Sequence, residues 1–280
     1  MSKEYFSQFY ALLEEHTGIS LDESKRYLIE SRLLPFSKRD GHPDVDTLVK
    51  ELVQSPVGGL HRQAFQALTT NETSFFRDKH VFNALKNQIL PTLIAYRKKE
   101  KALCIWSSAV SAGQEAFSIA ILIREHFPEL SDWNILIQAT DISEAILEKA
   151  KTGIYSCSEI NRGLDQQYLK KYFQKQGDVY QINRSIRNMV NFEPHNLVAA
   201  WPFYPKFDLI MLRNVLIYFK QNVKNKVLEK VSKQLNGENG VLILGASESI
   251  YTNNLYKTVP LGKISYYQLS QSPKACYGPD

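Results

Sequence analysis

Along the first 68 residues apolar positions recur every three to four places. Phe6, Phe9, Tyr10 and Leu13 line one face of a helix that Gly18 can stop, and Asp22 can cap the next one. Further helical spacing falls at 45–53 and 60–68, set apart by the breakers Gly41, Pro43, Pro56, Gly58 and Gly59. The pattern predicts a small all-α domain over residues 1–68, followed by a polar linker, 69–78. Beyond the linker, short apolar runs at 103–106, 135–139, 207–212 and 241–244 alternate with helical spacing over 115–126, 144–151 and 222–235. Runs that short and that uniformly apolar suit strands covered on both faces, so 79–280 is expected to hold a mostly parallel, doubly wound α/β sheet. Between 153 and 196 the alternation lapses into aromatic and β-branched fragments, 179–182 and 189–192. A small antiparallel insertion is expected there, around 155–195, and 264–269 reads as a late antiparallel strand.

Composition narrows the function classes. With 280 residues, 44% hydrophobic and 22% charged, the chain can bury a large core and disorder is excluded for most of it. Cys104, Cys157 and Cys276 are odd in number and widely spaced, which fits neither a disulfide framework nor a zinc knuckle and suits a reducing cytosol. Six scattered histidines form no pair at helical ligand spacing, so no metal is expected. The start, MSKEYFSQFY, lacks the apolar stretch and cleavage site of a signal peptide, and no run is long enough to insert into a membrane. The net charge of +5 is unevenly spread: 1–68 carries 8 basic and 10 acidic residues. The excess concentrates at Lys220, Lys224, Lys226, Lys230 and Lys233, at helical period, without aromatic and arginine interleaving. That is a solvated helix face and not a nucleic-acid surface.

In an open α/β sheet ligands bind beyond the C-terminal strand ends, which singles out the loops there. After the first strand come Ser107-Ser108-Ala109-Val110-Ser111-Ala112-Gly113-Gln114-Glu115, small residues that let a ligand approach the backbone. No GxGxxG is present, which disfavours a dinucleotide. After the second strand, Ala139-Thr140-Asp141 offers a carboxylate to a ribose, or else a cap for the helix near Ser143. A small-residue loop followed by this acid favours a nucleoside cofactor without pyrophosphate, S-adenosylmethionine foremost. Arg213-Asn214 ends the third run, either as site residues or as an ordinary ion pair or cap. Asn71-Glu72-Thr73-Ser74-Phe75-Phe76-Arg77-Asp78 could form a capping box with Thr73 as cap.

Together these segments resemble the CheR-type methyltransferases, which methylate glutamate side chains of bacterial chemoreceptors. The resemblance is carried by Thr17-Gly18-Ile19-Ser20-Leu21, Arg32-Leu33, Asn71 to Arg77, Trp106-Ser107, Gly113-Gln114-Glu115-Ala116-Phe117-Ser118, Ala139-Thr140-Asp141-Ile142, Gly153-Ile154-Tyr155, Asn196-Leu197, Arg213-Asn214-Val215-Leu216-Ile217-Tyr218-Phe219 and Gly245-Ala246-Ser247-Glu248-Ser249. It implies a Rossmann-like S-adenosylmethionine-dependent fold with a β-subdomain that docks on the receptor and an all-α N-terminal domain that helps bind it. It further implies that Asn71, Thr73 and Arg77 contact the cofactor, Arg77 near the transferred methyl. By the same resemblance Glu115 meets the methionine amino group, Asp141 the ribose, and Asn196, Leu197, Arg213 and Asn214 the remaining wall. Tyr218 would stand by the sulfonium and the incoming carboxylate, with S-adenosylhomocysteine as the product. A monomer in the cytoplasm acting on receptor cytoplasmic domains is the expectation.

The family's loop commonly reads Ser-Thr-Gly-Glu-Glu-Pro-Tyr-Ser. Here Ala112, Gln114, Ala116 and Phe117 depart from it, and Ala246 replaces a frequent histidine. These departures keep open a non-catalytic CheR-like module that binds receptor or cofactor; a second alternative, a small-molecule O-methyltransferase, is disfavoured by the insertion and the helical N-terminal region, which match the receptor-methylating pattern. No docking motif is recognisable after Gln271.

Overall fold

The computed structural model describes residues 2–251 and 254–270; Cys276 and the tail after Gln271 lie outside them. By contact density the chain divides into two compact units. One comprises Met1–Glu72, His195–Trp201 and Tyr218–Val227, the other Thr73–Pro194, Pro202–Ile217 and Leu228–Asp280.

The first unit is built on α1 (Ser2–Thr17), α2 (Arg26–Arg39), α3 (Val45–Gln54) and α4 (Gly59–Leu68). Their apolar stripes meet in one core, with Phe6, Phe9, Leu13, Ile29, Leu33, Leu48 and Leu52 fully buried. Helix α1 ends because Gly18 takes φ +77°, and an added Cβ there would lie 2.8 Å from Val198. The turn is closed by Thr17, whose hydroxyl donates to Leu13 O and accepts from Ile19 N. Asp22 caps the 3-10 turn Glu23–Lys25 through Ser24 N, at 2.9 Å. Arg32 donates to Leu68 O (2.6 Å), Thr69 O (2.9 Å) and Thr70 Oγ1 (3.2 Å), fixing the chain where it leaves α4.

The second unit carries α5 (Lys79–Ala84), α6 (Leu90–Tyr96), β1 (Ala102–Ser108), α7 (Gln114–His126), β2 (Asn134–Asp141) and α8 (Glu144–Thr152). There follow β3 (Ile154–Ser156), α9 (Cys157–Asn161), α10 (Gln166–Tyr172), β4 (Phe173–Gln176), β5 (Val179–Ile182), α11 (Arg184–Arg187), β6 (Val190–Pro194) and β7 (Leu209–Leu212). Helix α12 (Gln221–Ser232) runs across the unit boundary, and β8 (Val241–Leu244), β9 (Tyr256–Leu261) and β10 (Ile264–Leu269) complete the order. Among the described residues the strands form a seven-stranded sheet, β6-β2-β1-β7-β8-β10-β9, and a three-stranded one, β3-β5-β4. The core of the larger sheet is parallel, and β7 and β8 are buried at every residue, as strands covered on both faces must be. Strand β10 joins β8 and β9 antiparallel, as expected of 264–269. The three-stranded antiparallel sheet lies within the expected insertion. The 189–192 fragment does not join it: β6 pairs with β2 in parallel and forms an edge of the larger sheet.

Register aligns the strand ends. Ser108 is opposite Thr140 and Leu212, and Leu212 is opposite Leu244. The residues one step beyond therefore lie along a single edge: Ala109, Arg213 and Gly245 begin their loops there, and Asp141 is the last residue of β2. The chain winds outward from β1 to β2 and β6 on one side and from β7 onward on the other, so the topological switch point lies between β1 and β7. Asp208 marks the opposite edge. It accepts from Cys104 N and Asn236 Nδ2 and pairs with Arg97 at 3.3 Å, a buried carboxylate fully used in holding strands.

Candidate active site

The loop after β1 has an uncommon backbone. Ala109, Ser111 and Gly113 have φ of 54°, 55° and 90°, alternate left-handed residues that turn the chain sharply into α7. A Cβ on Gly113 would lie 3.1 Å from Ala150 and 3.2 Å from Phe192, so this position must also be small. Val110 N donates to Thr140 O and Ser111 N to Asp141 Oδ2, tying the loop to the end of β2. Asp141 also accepts from Ser143 N at 3.0 Å. Burial pushes its carboxyl above the ordinary aspartate value, while the N–H groups of Ser143, Ser111 and Ile142 pull the other way. Asp141 is not the cap of α8. Ser143 is, accepting from Ile146 N.

Arg213, directly after β7, is the hub of the switch point. Its side chain is 1% exposed. Nη1 donates to Glu115 Oε2 at 2.7 Å, and Nη2 to Asp78 Oδ2 at 2.5 Å and to Arg77 O at 3.2 Å. Glu115, in the first turn of α7, accepts from Ser107 Oγ through its other oxygen at 2.8 Å. One guanidinium thus binds the end of β7, the start of α7 and the segment before α5. That segment is no capping box: α5 begins at Lys79 after Asp78, and Phe76 and Asp78 take φ of 48° and 60°. Phe76 N is held by Ser118 Oγ. Phe75 sits so close to Gly163 that a Cβ there would fall 2.2 Å from Phe75 O.

A residue that sequence reasoning assigned no role ties the next two loops together. Glu248 Oε2 accepts from Asn214 N (2.8 Å) and Gly245 N (2.7 Å), and Oε1 accepts from Ile217 N (3.2 Å). Asn214 is left-handed, φ 58°, and a Cβ on Gly245 would lie 2.8 Å from its Nδ2. Glu248 lies in the late Gly-Ala-Ser-Glu-Ser motif, but nothing in that segment marks the glutamate as an acceptor for main-chain N–H groups. Asp78 and Ser107 are likewise assigned no role in sequence, because it does not show that their partners are the side chains of Arg213 and Glu115. A groove of about 380 Å³ opens beside Gly245 and Glu248, lined also by His80, Ser249 and Lys263.

Of the residues expected at the site, Thr73, Arg77, Glu115, Asp141, Arg213 and Asn214 belong to the second unit. Arg213 bonds directly to the Glu115 carboxylate and to the main-chain carbonyl of Arg77. Asn71, Asn196, Leu197 and Tyr218 belong to the first. There Asn196 Nδ2 donates to His16 O at 2.7 Å, its Oδ1 accepts from Val198 N, and Tyr218 O accepts from Ser20 N at 2.9 Å. Ile19 and Phe219 form an antiparallel bridge, so the Thr17–Ser20 turn, Asn196 and Tyr218 are one local structure. Leu197 is buried, and Asn71 Oδ1 accepts from Thr69 Oγ1. Among the described residues no three His, Cys, Asp or Glu side chains are gathered as metal ligands.

The all-alpha domain of the CheR methyltransferases matches residues 4–69, and their SAM binding domain matches residues 71–264. The chain belongs to the CheR methyltransferase family. It is 39% identical to "Chemotaxis protein methyltransferase Cher2" of Pseudomonas putida, over 88% of this chain and 90% of that one. To chemotaxis protein methyltransferase 1 of Vibrio cholerae it is 37% identical, over 89% and 90%. The chemotaxis protein methyltransferase of Borreliella burgdorferi is 32% identical over 93% of both chains. This CheR protein is an S-adenosylmethionine-dependent methyltransferase, with the expected Rossmann-like fold and all-α N-terminal domain.

Its switch point fits such a cofactor. A sulfonium and an ammonium call for carboxylates, and Glu115 supplies one in the first turn of α7. Ser108 Oγ, Gln114 Oε1 and Arg213 Nε are buried around the β1 and β7 ends without a hydrogen bond in the protein, polar capacity of the kind a ligand satisfies. The departures from the family's loop fall on packed positions. Ala116 and Phe117 are fully buried, and Phe117 meets Phe192 edge-on at 5.4 Å between centroids.

Proposed function

We propose that this CheR protein methylates glutamate side chains in the cytoplasmic domains of chemoreceptors, forming glutamyl methyl esters and releasing S-adenosylhomocysteine. The observation that carries this reading is the pair of held carboxylates at the switch point. Glu115 is held by Arg213 at one oxygen and by Ser107 at the other, and Asp141 by main-chain N–H groups. Both are fixed in place before a ligand arrives, so orienting the cofactor costs little at the moment of binding. In this reading Glu115 receives the methionine ammonium and Asp141 the ribose hydroxyls. Thr73 and Arg77 are taken to contact the cofactor and Arg213 and Asn214 to wall it, while Asn71, Asn196 and Leu197 are assigned to it by the family resemblance alone.

When bound, S-adenosylmethionine supplies an activated methyl group on a sulfonium. A glutamate acceptor, with reference pKa about 4.3, is already ionised at neutral pH, so the chain needs no general base. Its task is to hold the carboxylate in line and exclude water, roles we give to Arg77 and Tyr218. Tyr218→Phe is then expected to leave S-adenosylhomocysteine affinity unchanged and to slow transfer about 10-fold, the worth of one hydrogen bond. Unchanged turnover would remove the hydroxyl from the reaction. The groove beside Glu248, lined in part by Lys263, is the acceptor side in this reading.

Titration calorimetry with S-adenosylhomocysteine is the direct test, since it needs no receptor. Binding near micromolar, about −8 kcal/mol, is expected. Base-labile transfer of labelled methyl to receptor-bearing membranes should follow. Folded protein that binds no S-adenosylhomocysteine would leave a receptor-binding module as the better account.

A further inference from the structure

The 109–113 loop keeps its shape by outside restraint. Ala109 and Ser111 are left-handed without being glycine, strained conformations that persist only when neighbours impose them. Three bonds do so. Val110 N reaches Thr140 O and Ser111 N reaches Asp141, both from the larger sheet. The third is of different origin: Tyr155 Oη donates to Ala112 O at 2.7 Å, and Tyr155 is in β3 of the three-stranded sheet. Tyr155 is 1% exposed. Phe75 packs edge-on against its ring at 5.0 Å, and Phe173 of β4 packs edge-on against Phe75 at 5.4 Å. Burial pushes the phenol well above its ordinary range, so it remains a hydroxyl donor. The strand itself is pinned to β5 from Ile154 to Ser156, and Ile182 N donates to Gly153 O. The hydroxyl is therefore a stiff arm from the small sheet to a carbonyl of the loop.

We infer that Tyr155 is a positioning residue that couples the three-stranded sheet to the cofactor loop, so that ordering either one orders the other. The inference rests on the proposed reading of 109–113 as the loop against which the cofactor sits. Coupling of this kind is reciprocal: if the small sheet sets the loop for the cofactor, cofactor binding must in turn stabilise the small sheet. Whatever restrains that sheet would then tighten cofactor binding without touching the cofactor.

Tyr155→Phe deletes the arm and keeps the ring. Its S-adenosylhomocysteine dissociation constant should rise about 5- to 10-fold, in line with a lost hydrogen bond to a buried carbonyl. Hydrogen exchange separates this from a merely structural role. In the wild-type protein S-adenosylhomocysteine should slow exchange both in 109–113 and in 154–156 and 179–182. In Tyr155→Phe the slowing should persist in the loop and vanish from the small sheet. A variant that binds as tightly as wild type, or protection of the small sheet that is equal in both proteins, overturns the coupling. So does its absence from the wild-type protein alone, a measurement that needs no variant to fold. If the wild-type protein binds no S-adenosylhomocysteine, the methyltransferase reading itself fails, which is a distinct outcome.

Discussion

Arg213→Met is expected to lower the melting temperature by about 10 °C or more and to abolish measurable S-adenosylhomocysteine binding. The guanidinium is nearly inaccessible and serves two carboxylates and a carbonyl. Removing one partner of a buried ion pair costs about 3–5 kcal/mol because the other is left desolvated. In a unit of this size each kcal/mol is worth roughly 2–4 °C. The two carboxylates share the loss unequally. Asp78 is 28% exposed in its side chain and can recover water, whereas Glu115 at 12% cannot do so fully. Arg213→Met combined with Glu115→Gln should therefore regain part of the stability, a non-additivity of neighbours in one network, yet still bind no cofactor. Arg213→Lys keeps the charge but not the fork, and should fall between. An Arg213→Met protein that melts and binds like the wild type would remove the arginine from both the fold and the site.

The alternation of strands and helices was legible because β7 and β8 are covered on both faces, which demands uninterrupted apolar runs. Edge strands obey no such demand. Val190–Pro194 has only one buried residue, so the aromatic and β-branched fragment 189–192 read as part of the antiparallel insertion, although its partner is β2. Tyr256–Leu261 went unread because it carries Pro260 and only one buried residue, which only an edge position tolerates. In the helical unit Gly18 and Asp22 were readable, since a glycine stop and an aspartate cap act within two or three residues.

The site was legible in its residue types and not in its wiring. Arg213 stood in sequence as either a site residue or a partner in an ion pair, and its contacts with Glu115 and Asp78 lie 98 and 135 residues away. No local spacing encodes such a choice. The 71–78 segment resembled a capping box because a threonine preceded apolar residues. Its path is instead set by Ser118, Arg213 and the space that Gly163 leaves for Phe75. Glu248 shows the same limit, because its three partners are main-chain N–H groups and so carry no residue signature.

Asp141→Ala is expected to weaken S-adenosylhomocysteine binding by about 1–3 kcal/mol, roughly 5- to 150-fold, and to do so in a pH-dependent way. The carboxylate has two tasks in the proposed site: it offers acceptors to the ribose, and it fixes Ser111 N in the loop. Both belong to the ionised form. Burial raises its pKa above the ordinary value of 3.8, so the ionised form is lost earlier on acidification than for an exposed aspartate. Wild-type affinity should therefore decline as pH falls through that raised value, and the ratio of variant to wild-type dissociation constants should shrink toward one. Stability has the opposite sign. With a folded pKa above the unfolded one, the folded state holds the proton more tightly, so this group's contribution falls as pH rises from 3.8 through the folded value and is level above it. Asp141→Asn, which cannot ionise, should lack that decline and should still bind more weakly, because its amide presents one acceptor where the carboxylate presents two. Equal affinity of wild type and Asp141→Ala at neutral pH would end the ribose assignment. An affinity difference that does not change with pH would show instead that the carboxyl acts only as a neutral brace for the loop.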